Sequence, residues 1–170
     1  NEGDIAVSVI INAIKDDKGE TKKYIALFTD ITEKKQNQEI IWKQAHYDSL
    51  TQLLNRNSFA KYVDSAILSR HPFALLFIDL DHFKQVNDTL GHNVGDELLI
   101  QASHRIKHCV RNSDIVSRFG GDEFTVVLSG ELNEQIIDRI CTDIIDSLAT
   151  PFDLDGEAAY ISASIGITQY

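Results

Sequence analysis

Apolar residues alternate with small or polar ones from Ile5 to Ile14, and a second apolar run covers Tyr24 to Phe28. A period of two marks a strand, and Lys15-Asp16-Asp17-Lys18-Gly19 between the runs supplies turn chemistry, so the pattern predicts a β-hairpin. A lone two-stranded hairpin is marginal in water; these residues are expected to pack on something else or to belong to a larger sheet. Asp30-Ile31-Thr32-Glu33 then opens a polar helix to about Ala45, with Asp30 placed to cap its first turn and Glu33 to reach back to it. That helix has little core-facing surface and reads as a connector.

Tyr47-Asp48-Ser49-Leu50-Thr51 with Asn55-Arg56 forms a polar turn. Phe59, Val63, Ala66 and Ile67 follow the helical period until Pro72 stops them. Phe73 to Ile78 is continuously apolar, as in a strand covered on both faces, and ends in Asp79-Leu80-Asp81. Carboxylates at the end of a buried strand suggest a site. Leu99, Ala102, Ile106 and Cys109 mark one amphipathic helix, and Ile136, Ile137, Ile140, Ile144 and Leu148 mark another. Between them, strand-like Asp114–Arg118 and Phe124–Leu128 are joined through Gly120-Gly121, residues that accept the positive φ of a tight turn and let backbone approach a ligand. The acids Asp122 and Glu123 follow, and adjacent strand residues face opposite sides, so one can point at the Asp79 strand and the other away.

The chain has 170 residues, 43% of them hydrophobic, enough for one domain with a real core and a small appendage. Its net charge of −10 repels phosphate backbones and argues against broad nucleic-acid binding, while an acidic protein that handles phosphates needs metal ions. Cys109 and Cys141 each sit on a helical apolar stripe and read as buried thiols rather than a disulfide, which suits a reducing cytoplasm. No apolar run approaches the roughly 18 residues of a membrane span, and no charged-then-apolar leader opens the chain. With no Met anywhere, we expect a piece of a longer polypeptide.

Gly120-Gly121-Asp122-Glu123-Phe124 spells the signature of the GGDEF diguanylate cyclases. Asp79-Leu80-Asp81-His82-Phe83-Lys84-Gln85-Val86-Asn87-Asp88, then Gly91-His92 and Gly95-Asp96, resembles that family's first-strand and guanine-pocket motif in order and spacing. Asp48-Ser49-Leu50-Thr51 with Asn55-Arg56 resembles its opening turn, and Ser164-Ile165-Gly166-Ile167 a late strand. The resemblance covers about residues 47–170. The hairpin ending in Asp30-Ile31-Thr32, with its charged helix, resembles the last strands and exit helix of a PAS sensor domain. The organisation expected is therefore residues 1–32 as PAS-like strands, 33–46 as connector, and 47–170 as a GGDEF domain. Its last helix and strand, which supply a Lys and an Arg for the triphosphate, would fall beyond Tyr170.

The resemblance implies an α+β fold in which helices flank a central sheet with antiparallel pairing at its edge, similar to the nucleotidyl cyclase and polymerase palm. It implies condensation of two GTP into cyclic di-GMP with release of two pyrophosphates, a reaction driven by positioning and charge neutralisation. Asp79, the Leu80 carbonyl, Asp122 and Glu123 match the ligands of Mg²⁺ or Mn²⁺, and Glu123 also matches the acid that orients or deprotonates the 3′-hydroxyl. Asn87 and Asp96 match the guanine-reading positions, with a helix N-cap as a further use for Asp96. Backbone near His82 and Phe83, with Lys84, resembles the phosphate-contacting segment. Arg111 and Asp114 match an inhibitory product site; the plainer reading is a surface ion pair. One GTP per domain implies a homodimer. Pro151-Phe152-Asp153-Leu154-Asp155-Gly156 resembles members that carry a following EAL phosphodiesterase domain. Two rivals stand: a non-catalytic module that binds GTP or cyclic di-GMP and controls an attached domain, and a sensor-driven dimerisation unit.

Overall fold

The computed structural model describes residues 5–130, 132–154 and 156–170. They form two compact units, one ending at Gln44 and one running from Ala45 to Tyr170.

In the first unit, β1 (Val7–Lys15) pairs antiparallel with β2 (Thr21–Asp30), as the alternation predicts. Asp16 closes the turn, its carboxylate accepting from the backbone N–H of Lys18 and Glu20. The register puts Val7, Val9, Ile11, Tyr24 and Phe28 on one face, and all five are exposed. Helix α1 (Thr32–His46) follows, with no buried residue. Asp30 does cap its start, accepting from Thr32 N–H at 2.8 Å. The expected Glu33 reach-back is replaced by Thr32, whose hydroxyl accepts from Ala6 N–H while Ile31 N–H donates to the Ala6 carbonyl.

The second unit has the order β3 (Leu54–Asn55), α2 (Arg56–Leu68), β4 (Phe73–Asp81), α3 (Phe83–Leu90), α4 (His92–His108), β5 (Ile115–Gly120), β6 (Glu123–Ser129), α5 (Glu134–Ala149), β7 (Phe152–Leu154), β8 (Glu157–Ala159) and β9 (Ser162–Gln169). Its five-stranded sheet runs β3-β5-β6-β4-β9. Pairing is antiparallel from β5 through β9 and parallel only between β3 and β5, so one edge carries the expected antiparallel pairing, β4 with β9, and the other a parallel pair.

Alternate residues of β4 explain the packing. Ala74, Leu76, Ile78 and Leu80 are buried with Phe124, Val126 and Leu128 of β6 against Leu98, Leu99 and Ile106 of α4 and Ile137, Ile144 and Leu148 of α5. On the other face Phe73 and Val127 pack on Phe59 of α2, leaving Leu75 and Phe77 half-buried and Asp79 exposed. The continuous apolar run predicted a strand covered on both faces; one face is fully closed and the other partly. Arg105 of α4 lies 3.6 Å over the Phe152 ring and donates to the carbonyls of Ser147, Thr150 and Pro151. It thereby satisfies C=O groups in and just after the last turn of α5. The phrase Pro151–Gly156 contributes the core residues Phe152 and Leu154, while Asp155 lies outside the described residues. Both cysteines are free; Cys141 is buried, Cys109 is half-buried, and burial pushes both thiols up. No helix among the described residues is long and apolar enough to cross a membrane.

Candidate active site

The acids predicted from the sequence gather where β4 and β6 meet the β5–β6 turn. Asp79 stands directly opposite Glu123 across the β4–β6 ladder and opposite Ser164 across β4–β9. Asp122 is in the turn, its carbonyl accepting from Leu80 N–H at 3.3 Å. Burial and then the charges of Asp122 and Asp81 hold the Asp79 carboxyl above the usual carboxylate range. Asp79 thus feels like charge on two sides, and Glu123 adds a third acid in register with it. The turn itself differs from the Gly120-Gly121 reading. Gly120 pairs with Glu123 as the last residue of β5, so the loop is Gly121-Asp122, and of the two glycines only Gly121 has positive φ, at 51°. A β-bulge between Arg118 and Gly120 absorbs the extra residue.

Asp81 contributes to this corner although sequence reasoning gave it no role. Ser162 and Ser164, two apart on β9 and therefore on one face, both donate hydroxyl hydrogen bonds to its carboxylate, at 2.7 and 2.9 Å. Those bonds, and then His82, hold Asp81 below its usual range. The serine alternation was the signal that could have found it.

The segment after β4 turns through His82, a non-glycine residue at φ 65°, into α3. Left-handed backbone at a non-glycine is strained and persists only where surrounding structure holds it. The His82 carbonyl accepts from the N–H groups of Gln85 and Val86, while the Phe83 and Lys84 amides belong to the first turn and have no intrahelical acceptor. The Phe83 side chain packs against the core, and Lys84 is exposed. Gly91, at φ 90°, ends α3 and begins α4. Since α4 starts at His92, Asp96 lies beyond its first turn, and the N-cap use of Asp96 is overturned. The side chain of Asp96 is exposed, and that of Asn87 half-buried.

Arg118 was also missed. Its Nη1 donates to the Asp48 carboxylate at 3.0 Å, while its Nε and Nη2 donate to the Gly121 carbonyl at 2.9 and 2.7 Å. The same Asp48 oxygen accepts from Thr51 N–H and hydroxyl, both at 2.8 Å. Burial alone would raise Asp48, but the bonds from Thr51 and Arg118 hold it below its usual range. One guanidinium thus ties the opening turn to the loop that carries Asp122.

At the far end of β5, Asp114 accepts from Arg111 N–H and from Ser129 N–H, fixing a turn that leaves the Arg111 side chain exposed. Arg111, Asn112 and Asp114 line a groove of about 380 Å³ with Tyr47, Gln52 and Lys107. The Arg111 and Asp114 side chains make no ion pair with each other among the described residues, so the surface-pair reading has no support. A second cavity, of about 700 Å³, lies by the α2 C-terminus, the start of β4 and Tyr170; it gathers none of the acids.

The described residues form no ready group of three or more acid, His or Cys side chains in metal-holding geometry. The donor chemistry nevertheless fits a hard divalent cation: oxygen ligands only, with acids crowded enough to repel one another.

A mixed sheet with helices on its faces and paired acids at the ends of its central strands defines a nucleotidyl-cyclase, palm-like domain. The family described as "Diguanylate cyclase, GGDEF domain" matches residues 45–170, and the chain belongs to it. Diguanylate cyclase TpbB of Pseudomonas aeruginosa is 43% identical over 132 residues, 75% of this chain and 30% of that protein. Cyclic di-GMP phosphodiesterase NbdA of the same organism is 39% identical over 133 residues, 75% of this chain but 17% of that protein. The chain therefore spans less than a third of either relative. A solved structure of the GGDEF domain of TpbB superposes with a TM-score of 0.68 at 42% identity, covering 74% of this chain and 76% of that one.

Proposed function

We propose that the chain is the catalytic domain of a diguanylate cyclase that condenses two GTP into cyclic di-GMP. The observation that carries this reading is the register of Asp79 against Glu123, with Asp79 raised by burial and then by the charge of Asp122 in the adjoining turn. A pure binding module has no need of that concentration of unpaired negative charge, which costs stability. Mg²⁺ or Mn²⁺, when bound, neutralises charge on the triphosphate. Asp79, the Leu80 carbonyl, Asp122 and Glu123 are the residues to hold it. The free amides of Phe83 and Lys84 at the α3 N-terminus, with the Lys84 ammonium, suit phosphate oxygens. Asn87 and Asp96 read the guanine edge, the carboxylate accepting from N1 and N2.

In the reaction the 3′-hydroxyl oxygen of one GTP forms a bond to the α-phosphorus of the other. The bond from that phosphorus to its bridging oxygen breaks, and pyrophosphate leaves. Glu123 orients the hydroxyl and takes its proton. A reciprocal step closes the ring, so two domains must face each other, each with one GTP. Arg111 and Asp114, in their groove, would receive the product and restrain the enzyme, a guanidinium and a carboxylate being suited to a guanine base. The hairpin and α1 are the end of a PAS-like sensor and its connector in a cytoplasmic signalling protein, with an EAL domain as a further part.

Incubating the full-length protein with GTP and Mg²⁺ and quantifying cyclic di-GMP and pyrophosphate tests the proposal. Product is expected, and Glu123→Gln should lower kcat by about a hundredfold or more with GTP binding retained. The name of NbdA makes the regulatory-module reading a real competitor. Tight GTP binding with no product from the parent protein would establish that module instead.

A further inference from the structure

Gly95 is a buried residue near the start of α4, and it meets the side chain of Asn87 across the corner between α3 and α4. A Cβ built on Gly95 would fall 2.9 Å from the Asn87 side-chain carbonyl carbon and closer still to its Oδ1. The backbone does not call for glycine here. Gly95 sits in helix, where alanine is the better former, and its φ lies outside the left-handed region. Gly91, four residues earlier, is the reverse: its φ of 90° requires glycine, and open space surrounds the position of its Cβ. One glycine supplies conformation and the other supplies room.

We propose that Gly95 is a positioning residue for base recognition, its missing side chain letting α4 approach α3 closely enough to seat the Asn87 amide at the guanine edge. The proposal rests on the GTP reading above. Asp96 is the next residue in the chain, so the same approach sets the separation of the two guanine-reading groups. Among the described residues the Asn87 amide has no hydrogen-bond partner, so packing against Gly95 fixes its place and leaves its donor and acceptor for a base.

The test is equilibrium binding of 3′-deoxy-GTP, which lacks the attacking hydroxyl, with 3′-deoxy-ATP beside it and Mg²⁺ in both. The proteins are the parent, Gly95→Ala, Asn87→Ala and the double variant, each also followed by thermal unfolding. Gly95→Ala is expected to weaken 3′-deoxy-GTP about tenfold, to leave 3′-deoxy-ATP little changed, and so to narrow the guanine preference as Asn87→Ala does. The double variant should bind no more weakly than either single one, because both remove the same contact. Guanine affinity unchanged in Gly95→Ala, or losses that add in the double variant, would overturn the proposal. If Gly95→Ala fails to fold, recovery of folding in the double variant supports the steric contact, and continued failure overturns it. A parent that binds neither nucleotide sinks the GTP reading and this inference with it, whereas a parent that binds while Gly95→Ala matches it sinks this inference alone.

Discussion

The chain contains two sheets written in much the same alphabet. β1 and β2 hold eight Ile, Val, Leu or Phe among 19 residues and β4 and β6 ten among 16, yet Ile10, Ile11, Leu27 and Phe28 are all more than half exposed while Leu76, Ile78, Phe124 and Val126 are fully buried. A buried Leu or Ile side chain stabilises by about 1.5–3 kcal/mol relative to an exposed one. β4 and β6 receive that contribution because α4 and α5 close one face of their sheet; within its own unit the hairpin receives none. An apolar alternating pattern therefore specifies a strand without specifying its cover. The covered sheet can then afford an acid cluster at its end, which by itself opposes folding.

The largest expected effect is on the covered side. Leu76→Ala should destabilise the second unit by about 2–5 kcal/mol in denaturant unfolding, whereas Val9→Ala in the hairpin should cost under about 0.5 kcal/mol. Equal losses would break the comparison. Next, Arg118→Ala should cost about 1–3 kcal/mol, since it strips partners from the Asp48 carboxylate and the Gly121 carbonyl, the Arg118 and Asp48 side chains being only 13% and 23% exposed. Arg118→Lys should recover little of that, because an ammonium cannot make three bonds to two separate acceptors as a guanidinium fork does. A smaller effect is expected from acid. Asp48 is depressed in the folded state, so its contribution is complete above the unfolded carboxylate value near about 4 and is lost as pH falls through the folded value. Asp48→Asn should flatten unfolding stability against pH in that window. Smallest, Asp79 is raised, so its charge opposes folding at neutral pH; Asp79→Asn should lift Tm by about 1–3 °C without divalent cation, damped by the exposure of the group.

Much of the second unit was legible because its signals are local. The periods of Phe59 to Ala66, of Leu99 to Ile106 and of Ile136 to Leu148 each gave a helix that the structure contains. Misreadings arose where one residue's geometry decided between neighbours. The Gly-Gly pair could be placed in the turn only by knowing the bulge at Phe119, and the start of α4 only by knowing that Gly91 takes positive φ. Contacts between distant positions were not legible: Arg118 reaches Asp48 across 70 residues of sequence, and Asp81 meets Ser162 across 81. Nothing around Arg118 or Asp48 announces the other, and the alternation of Ser162 and Ser164 marks a polar face without naming Asp81 as its partner.

The order of strands carries a consequence for synthesis. β4 lies between β6 and β9, and of the described strands β9 comes latest in the chain, with Ala74 pairing Gln169. At ribosomal rates of about 5–20 residues per second, the apolar stretch Phe73–Ile78 waits roughly 5–20 seconds with at least one edge open after it emerges. An open apolar edge is a template for pairing with other chains, and charge at the end of a strand discourages such pairing. Asp79 and Asp81 stand at the end of that stretch, so the acids of the mature site would also guard the nascent strand before its second partner exists.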